Sequence, residues 1–293
     1  MDLTLQLLWT GLALGGIYSM LAMGFTLIYG TTRQFHVAHG GIFTVAGYVG
    51  YIVAERLALG LVPALVVAVM AAGLGGLAVY EGVYRPLVRR GATPLVVFIA
   101  SLGLLYTLDN LCALLFGQDP LVVETDLKVP WSLGSVSVTP LQVVTVAVGL
   151  AVFGAAEAIL RWTSAGKALR GVADSPEMAQ IVGVDVRKAY RLAYVMGSAI
   201  AAPAALLIAA DAGITPFRGS LLVLLSAVIM IMGGLGSLPG ALLAGFSVAL
   251  AESLSVSVVS AEWSAALVFT VFMVFIVVRP TGFFGDKVTS AKL

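Results

Sequence analysis

The sequence predicts an all-α, polytopic membrane protein with about eight or nine transmembrane or half-membrane helices. Three observations lead there. Hydrophobic residues make up 60% of the 293 positions and charged residues only 11%, whereas a soluble domain is roughly half apolar and a quarter charged. Apolar runs approaching the ~20 residues that cross a bilayer recur along the whole chain. Basic residues gather between those runs instead of being scattered. Lipid is therefore the solvent, and residues 1–293 read as a single transmembrane domain. The net charge of +1 argues against a nucleic-acid partner. Cys112, the single cysteine, supports neither a disulfide framework nor a thiolate metal cluster.

Each element follows from charge and punctuation. No Asp, Glu, Lys or Arg occurs from Leu3 to Thr32, giving a first span at about Leu5–Tyr29. The Met1-Asp2 start is not a basic leader, so this run reads as a permanent span and not a cleaved signal. Gly11 and Gly15 have the small-xxx-small spacing of close helix pairs. Gly30–Gly41 is a break holding Arg33 and both histidines. A second span, about Ile42–Ala54 or starting deeper, ends at Glu55-Arg56. The third is about Leu61–Tyr80, followed by Glu81–Gly91 with Arg85, Arg89 and Arg90; the fourth is about Pro94–Gly117. The loop Gln118–Val138 sets Asp119, Glu124 and Asp126 against Lys128, and its Pro120, Pro130 and Trp131 suit a segment on the membrane surface. A fifth span covers about Pro140–Leu160. After the polar island Arg161–Arg191 comes a sixth at about Leu192–Ala210, then a short turn at Asp211–Gly219. From Ser220 to about Val259, two short helices meet at the glycine-rich bend Gly233–Gly240. The last span is about Trp263–Val278, ending at Arg279-Pro280.

Orientation follows from Lys and Arg placement. Arg85–Arg90, the island and the tail from Arg279 hold twelve of the sixteen basic residues. The span count puts all three on one side, which is then cytoplasmic along with Arg33 and the C-terminus. Arg56, Lys128 and Arg218 fall outside, as do the acidic loop and the N-terminus.

The island carries six of the basic residues and the three acids Asp174, Glu177 and Asp185. Thr163 and Ser164 can cap a short helix through Ala173. Ser175-Pro176-Glu177 is a second helix start, with a cap, a first-turn proline and an acid near the positive end. That helix runs to about Val182, and Gly183 is placed to end it in a left-handed conformation. Met178, Ile181 and Val182 share one face. Charge alone describes an amphipathic loop resting on lipid.

Other polar groups invite chemistry. Asp109, beside Asn110, and Glu252 lie within apolar segments. A charge there costs about 2.5–3.5 kcal/mol on insertion scales and usually faces a cavity or a partner. In a proton- or sodium-coupled secondary carrier these acids would hold the coupling ion; otherwise they are structural or pathway groups. His36 and His39 are three apart, with no third ligand nearby, so they make a poor metal site; packing or a gate remain open. Gly233–Gly240 lacks the Lys-Ser/Thr of a phosphate loop. It is either a tight interhelical turn or a helix break lining a substrate path. No catalytic dyad or triad is visible, which disfavours an integral-membrane enzyme.

Spacing adds a resemblance. Glu177-Met178-Ala179-Gln180-Ile181-Val182-Gly183 is similar to the E-A-A-x-x-x-G loop of ABC importer permeases, with Met at the middle position. Around it, in order, stand Gly16–Gly24, Ala38-His39-Gly40, Tyr84-Arg85-Pro86, Gly166-Lys167-Ala168-Leu169-Arg170, Gly233–Ala241 and Arg279-Pro280-Thr281-Gly282. Together they make the chain resemble the branched-chain amino acid permeases, in particular the H-type subunit of the Liv system, over essentially its whole length. Departures fall at Gly41, where an acid is common, at Gln34-Phe35-His36 in place of Ile-Asn-Phe, and at Pro203 in place of Ala or Gly. These bear on the substrate more than on the architecture.

The resemblance implies a permease of an ATP-driven importer in the bacterial inner membrane. Its cargo would be branched-chain amino acids, urea or short amides. It would hold no cofactor itself; ATP would bind two partner ATPases. A second, related permease and an external solute-binding protein would complete the assembly. Gly166, Lys167, Arg170, Glu177, Met178, Ala179 and Gly183 would then couple to the ATPase. Candidates for the substrate pathway are Tyr18, His36, His39 and Gly40 from the first half, the pair Asp109 and Asn110, then Gly233, Gly234, Ser237 and Glu252.

Overall fold

The computed structural model describes residues 2–133, 136–258, 260, 263–279 and 281–284. About four-fifths of them are helical. In chain order come α1 (Asp2–Thr32), α2 (His39–Tyr51, extended by a π-turn at Ile52–Arg56), α3 (Leu61–Val79, continued through a π-turn at Tyr80–Tyr84 into α4, Arg85–Arg89), and α5 (Pro94–Phe116). After the hairpin β1 (Trp131–Leu133) and β2 (Val136–Val138) follow α6 (Pro140–Trp162), α7 (Ser164–Asp174), α8 (Pro176–Ile181), α9 (Val186–Asp211), α10 (Arg218–Gly233), α11 (Leu238–Ser255) and α12 (Ser264–Val278). Six of these stretches are long and apolar enough to cross a membrane; α10 and the apolar part of α12 are shorter. Val259 and Pro280, named above as the ends of the last two helical stretches, lie outside the described residues.

Helix starts follow cap chemistry, in which a side-chain oxygen accepts from an N–H that has no partner within the helix. Thr139 and Gln142 form a reciprocal capping box at α6. Thr163 accepts from Gly166 N–H at α7, Ser175 from Met178 N–H at α8, Asp185 from Lys188 N–H at α9 and Ser237 from Gly240 N–H at α11.

Two kinds of helix make the bundle. α1 is central, so its sequence is apolar all round and its residues from Ile17 to Ile28 are buried. α9 and α11 flank it, and α11 runs antiparallel. Ser19 Oγ donates to Leu242 O and Ser253 Oγ to Leu7 O. Glycines bring the backbones together: a Cβ added at Gly149 of α6 would stand 3.2 Å from Gly16 Cα, and one at Gly197 of α9 would stand 2.6 Å from Gly24 O. The outer helices bury one stripe each, such as Ala64, Ala68 and Ala72 on α3 and Val97, Ser101, Leu105 and Asp109 on α5. Their other faces present bare Val62, Leu74 and Leu114. Exposed apolar surface of that extent requires hydrocarbon as solvent.

Two returns inside the bundle matter for function. Past Thr32 the chain doubles back, with Arg33 in the left-handed region at φ 56°. α2 therefore begins deep, where His39 Nε2 meets Leu21 O at 3.3 Å. Past Asp211 it dips again. α10 then starts where Gly219 N–H meets Thr44 Oγ1 at 3.1 Å, well short of the bundle end.

The loop at 118–138 does more than lie on a lipid surface. Leu121 and Ile214 exchange both backbone bonds, and Val123 N–H reaches Ala209 O at 2.9 Å. Gln6 bonds both backbone groups of Ser137 at 2.9 Å. The loop thus closes one end of the bundle, because buried backbone polar groups need partners. The opposite end carries Arg85–Arg90 and α7–α8 and is called the basic end below.

Candidate functional site

At the basic end, α7 and α8 form a two-helix bracket. Gly166 is buried against the end of α6, where a Cβ would run into the carbonyls of Ile159 and Leu160. Lys167 and Arg170 point outward. On α8, Ala179 is buried, while Met178, Ile181 and Val182 are 61%, 77% and 76% exposed, and Glu177 is exposed beside them. Gly183 ends the helix at φ +86°; its N–H bonds Gln180 O, and Val184 N–H bonds Ala179 O at 2.9 Å. The first backbone amides of α9 hold the next turn. Lys188 N–H, then the Lys188 ammonium, keep the Asp185 carboxyl below the ordinary aspartate range.

The bracket is tied to the spans by charge. Glu81, beyond α3, takes Arg85, Arg187 and Arg191 at once. Arg33 Nη2 donates to Ala173 O at 3.3 Å. A cleft of about 250 Å³ lies between Gly30, Arg33, Arg170, Ala173 and Gly236.

Gly233–Gly240 sits at this same basic end. Gly30 packs on Gly236, and Gly233 is pressed against Gly240. Ser237 caps α11, and Gly234 adopts φ 102°. Phe283 N–H and Phe284 N–H bond Met232 O and Gly233 O at 2.8 and 3.1 Å. Of the two sequence readings, the geometry has the form of the tight interhelical turn.

Deeper in the bundle, His36 and His39 stand with ring centroids 5.7 Å apart, both buried. Tyr84 OH donates to Ser101 Oγ at 2.7 Å and lies 2.8 Å from His36 Nδ1. Ala38 N–H bonds the same Ser101 Oγ at 2.8 Å, and Tyr194 OH donates to Gln34 Oε1 at 2.8 Å. This aromatic knot pins the first return. Gly40 is buried against α10, where a Cβ would be 2.9 Å from the Gly219 carbonyl carbon.

Asp109 is fully buried and accepts from Ser220 Oγ. Its neighbour Asn110 is turned to the exposed face, donating to Tyr106 O at 2.7 Å, so the pair does not act as one site.

At the middle of α1, Tyr18 OH donates to Glu252 Oε2 at 2.9 Å. Arg218 and Asp211 close the same cleft, of about 300 Å³, with Leu14, Ile17 and Leu222 as apolar wall. Tyr18 and Glu252 were singled out from sequence; Arg218 and Asp211 were assigned to an external turn. The available signal was that Arg218 is the sole charged residue from Ala212 to Ala251. Glu81 was likewise missed, though an acid four residues before Arg85 invites pairing.

Spanning helices, broken returns and a capped bracket at the basic end define a multi-pass membrane protein. Comparison with known proteins places it further: the chain belongs to the family described as branched-chain amino acid transport system, permease component, whose model matches residues 7–277. It is 28% identical to the high-affinity branched-chain amino acid transport system permease protein LivH of Escherichia coli K12, covering 96% of this chain and 95% of that one. It is 30% identical to the corresponding protein BraD of Pseudomonas aeruginosa over the same shares. A probable branched-chain amino acid transport permease of Methanocaldococcus jannaschii is 26% identical over 80% of this chain and 76% of its own.

Proposed function

We propose that this chain is one of two permease subunits of an ATP-driven ABC importer that moves branched-chain amino acids, or related small amides, across the inner membrane. The substrate arrives on an external solute-binding protein. Two cytoplasmic ATPases bind the ATP; this chain holds no cofactor. The basic end faces the cytoplasm together with the C-terminus, and the N-terminus faces outward, in keeping with the placement of Lys and Arg.

The observation that carries the reading is the α8 face. Met178, Ile181 and Val182 are each more than half exposed on and just past a six-residue helix at the charged end, with Glu177 exposed beside them. An apolar patch with a polar rim is the form of a docking site. Arg187 and Arg191 follow it directly and bind Glu81, so a push on α8 is delivered to α3 and α9. Coupling residues are then Gly166, Lys167, Arg170, Glu177, Met178, Ala179 and Gly183.

The test is uptake by the complete transporter. Gly183→Asp, or deletion of Ala173–Gly183, abolishes ATP-linked uptake while the protein stays inserted; normal uptake by either variant overturns the coupling assignment.

A further inference from the structure

The cleft at the middle of α1 brings two of the pathway candidates, Tyr18 and Glu252, together with Arg218 and Asp211, which the resemblance did not single out. Tyr18 is 14 residues from Thr32 at the basic end, about 21 Å at 1.5 Å per residue, so the Tyr18 end of the cleft lies near mid-depth, while Asp211, two residues past the Ala209 that bonds Val123, lies toward the end closed by the 118–138 loop. It gathers one cation, Arg218, and two carboxylates, Asp211 and Glu252. Among the described residues no carboxylate lies within the 4.0 Å ion-pair limit of Arg218, and its buried Nε has no hydrogen-bond partner.

 Tyr18 thus fixes the Glu252 carboxylate at the cleft wall.

Charges at this depth do not face hydrocarbon, where each would cost about 2.5–3.5 kcal/mol on insertion scales. Such charges usually face a cavity or a partner, and this cleft is the cavity they share. Leu221, on the α10 edge of the cleft, is 67% exposed. An open guanidinium facing carboxylates across an apolar wall of Leu14, Ile17 and Leu222 is complementary to a zwitterion with an aliphatic side chain.

Resting on the importer reading for its cargo, we infer that this cleft is a transient binding site for an aliphatic α-amino acid in transit. Arg218 takes the α-carboxylate, Glu252 and Asp211 take the ammonium, and the leucine-isoleucine wall takes the side chain. The cleft reads both charges of the zwitterion, so it rejects amines and carboxylic acids of the same shape.

Two measurements test this. In the first, Leu221→Cys is placed in a Cys112→Ala background of the full-length chain and labelled with a small water-soluble thiol reagent. L-leucine slows labelling at least about threefold; isoamylamine and 4-methylpentanoate do not, and Arg218→Gln removes the protection. Equal protection by the three compounds, or none by leucine, overturns the assignment. In the second, the complete transporter carries Arg218→Gln, Arg218→Lys or Glu252→Gln. Losing one charge-assisted contact lowers leucine uptake by about tenfold or more, and Arg218→Lys recovers part of it. Full uptake by Arg218→Gln overturns the cleft alone, whereas absence of ATP-driven uptake in the unsubstituted complex overturns the importer reading. Loss of uptake in all three variants with leucine protection also lost in Arg218→Lys marks Arg218 as structural and overturns the assignment.

Discussion

Glu81 is ion-paired with Arg191 across the bundle, from the π-turn beyond α3 to the first turns of α9. Arg187 joins the same carboxylate at 3.3 Å, and Arg85 joins from its own helix. Three guanidinium groups on one acid make a network, which is where exposed ion pairs gain weight over isolated ones. The pair links the α9 turn that follows the α7–α8 bracket to the end of α3. Glu81→Gln is expected to leave insertion intact and to lower uptake per ATP hydrolysed severalfold. Glu81→Arg with Arg191→Glu recovers part of it. An unchanged uptake-to-hydrolysis ratio in Glu81→Gln removes this link from the mechanism.

The α8 face makes a second prediction. Ile181 is 77% exposed, so Ile181→Asp changes little within the chain. Against a partner it buries a charge in an apolar contact, at a penalty of about 2 kcal/mol or more. ATPase subunits should co-purify at least about tenfold less well, with the amount of inserted permease unchanged.

Helix contact predicts two substitutions of opposite sign. A Cβ at Gly197 would meet Gly24 O at 2.6 Å, so Gly197→Ala should destabilise by about 1–3 kcal/mol through overpacking. At Gly154, on the outer part of α6, a Cβ meets nothing within 4 Å. Gly154→Ala should be neutral or stabilising, up to about 1 kcal/mol, from helix propensity. Thermal unfolding of the purified chain in detergent reads both.

The histidine knot gives a fourth. Ser101→Ala leaves both Ala38 N–H and Tyr84 OH without their acceptor. Buried orphans of this kind cost about 1–3 kcal/mol. The expected result is a lower unfolding temperature and reduced uptake, since the return that starts α2 loses its pin.

Much of this was legible in advance because lipid imposes simple rules. Apolar runs without charge located the long helices, and Thr163, Ser175-Pro176 and Gly183 fixed both ends of the bracket from cap chemistry alone. What the sequence hid was depth. Gly233–Gly240 reads equally as a tight interhelical turn or as a break lining a path, and Gly30 and the Phe283 turn, distant in sequence, hold it at the basic end. Arg218 looks like an external charge, yet it shares a cleft with Tyr18. Both cases have one cause: a short helix has no fixed depth until its neighbours set it, and those neighbours are distant in sequence. Asn110 shows the same limit at one-residue scale, since adjacent positions on a helix point in different directions.

The most direct test of the central reading is leucine uptake into proteoliposomes. The chain purified alone should move no leucine under a proton or sodium gradient, while the complex with its ATPases and binding protein should accumulate leucine on addition of ATP. Gradient-driven uptake by the chain alone, abolished by Asp109→Asn or Glu252→Gln, would contradict the importer and establish a secondary carrier in its place.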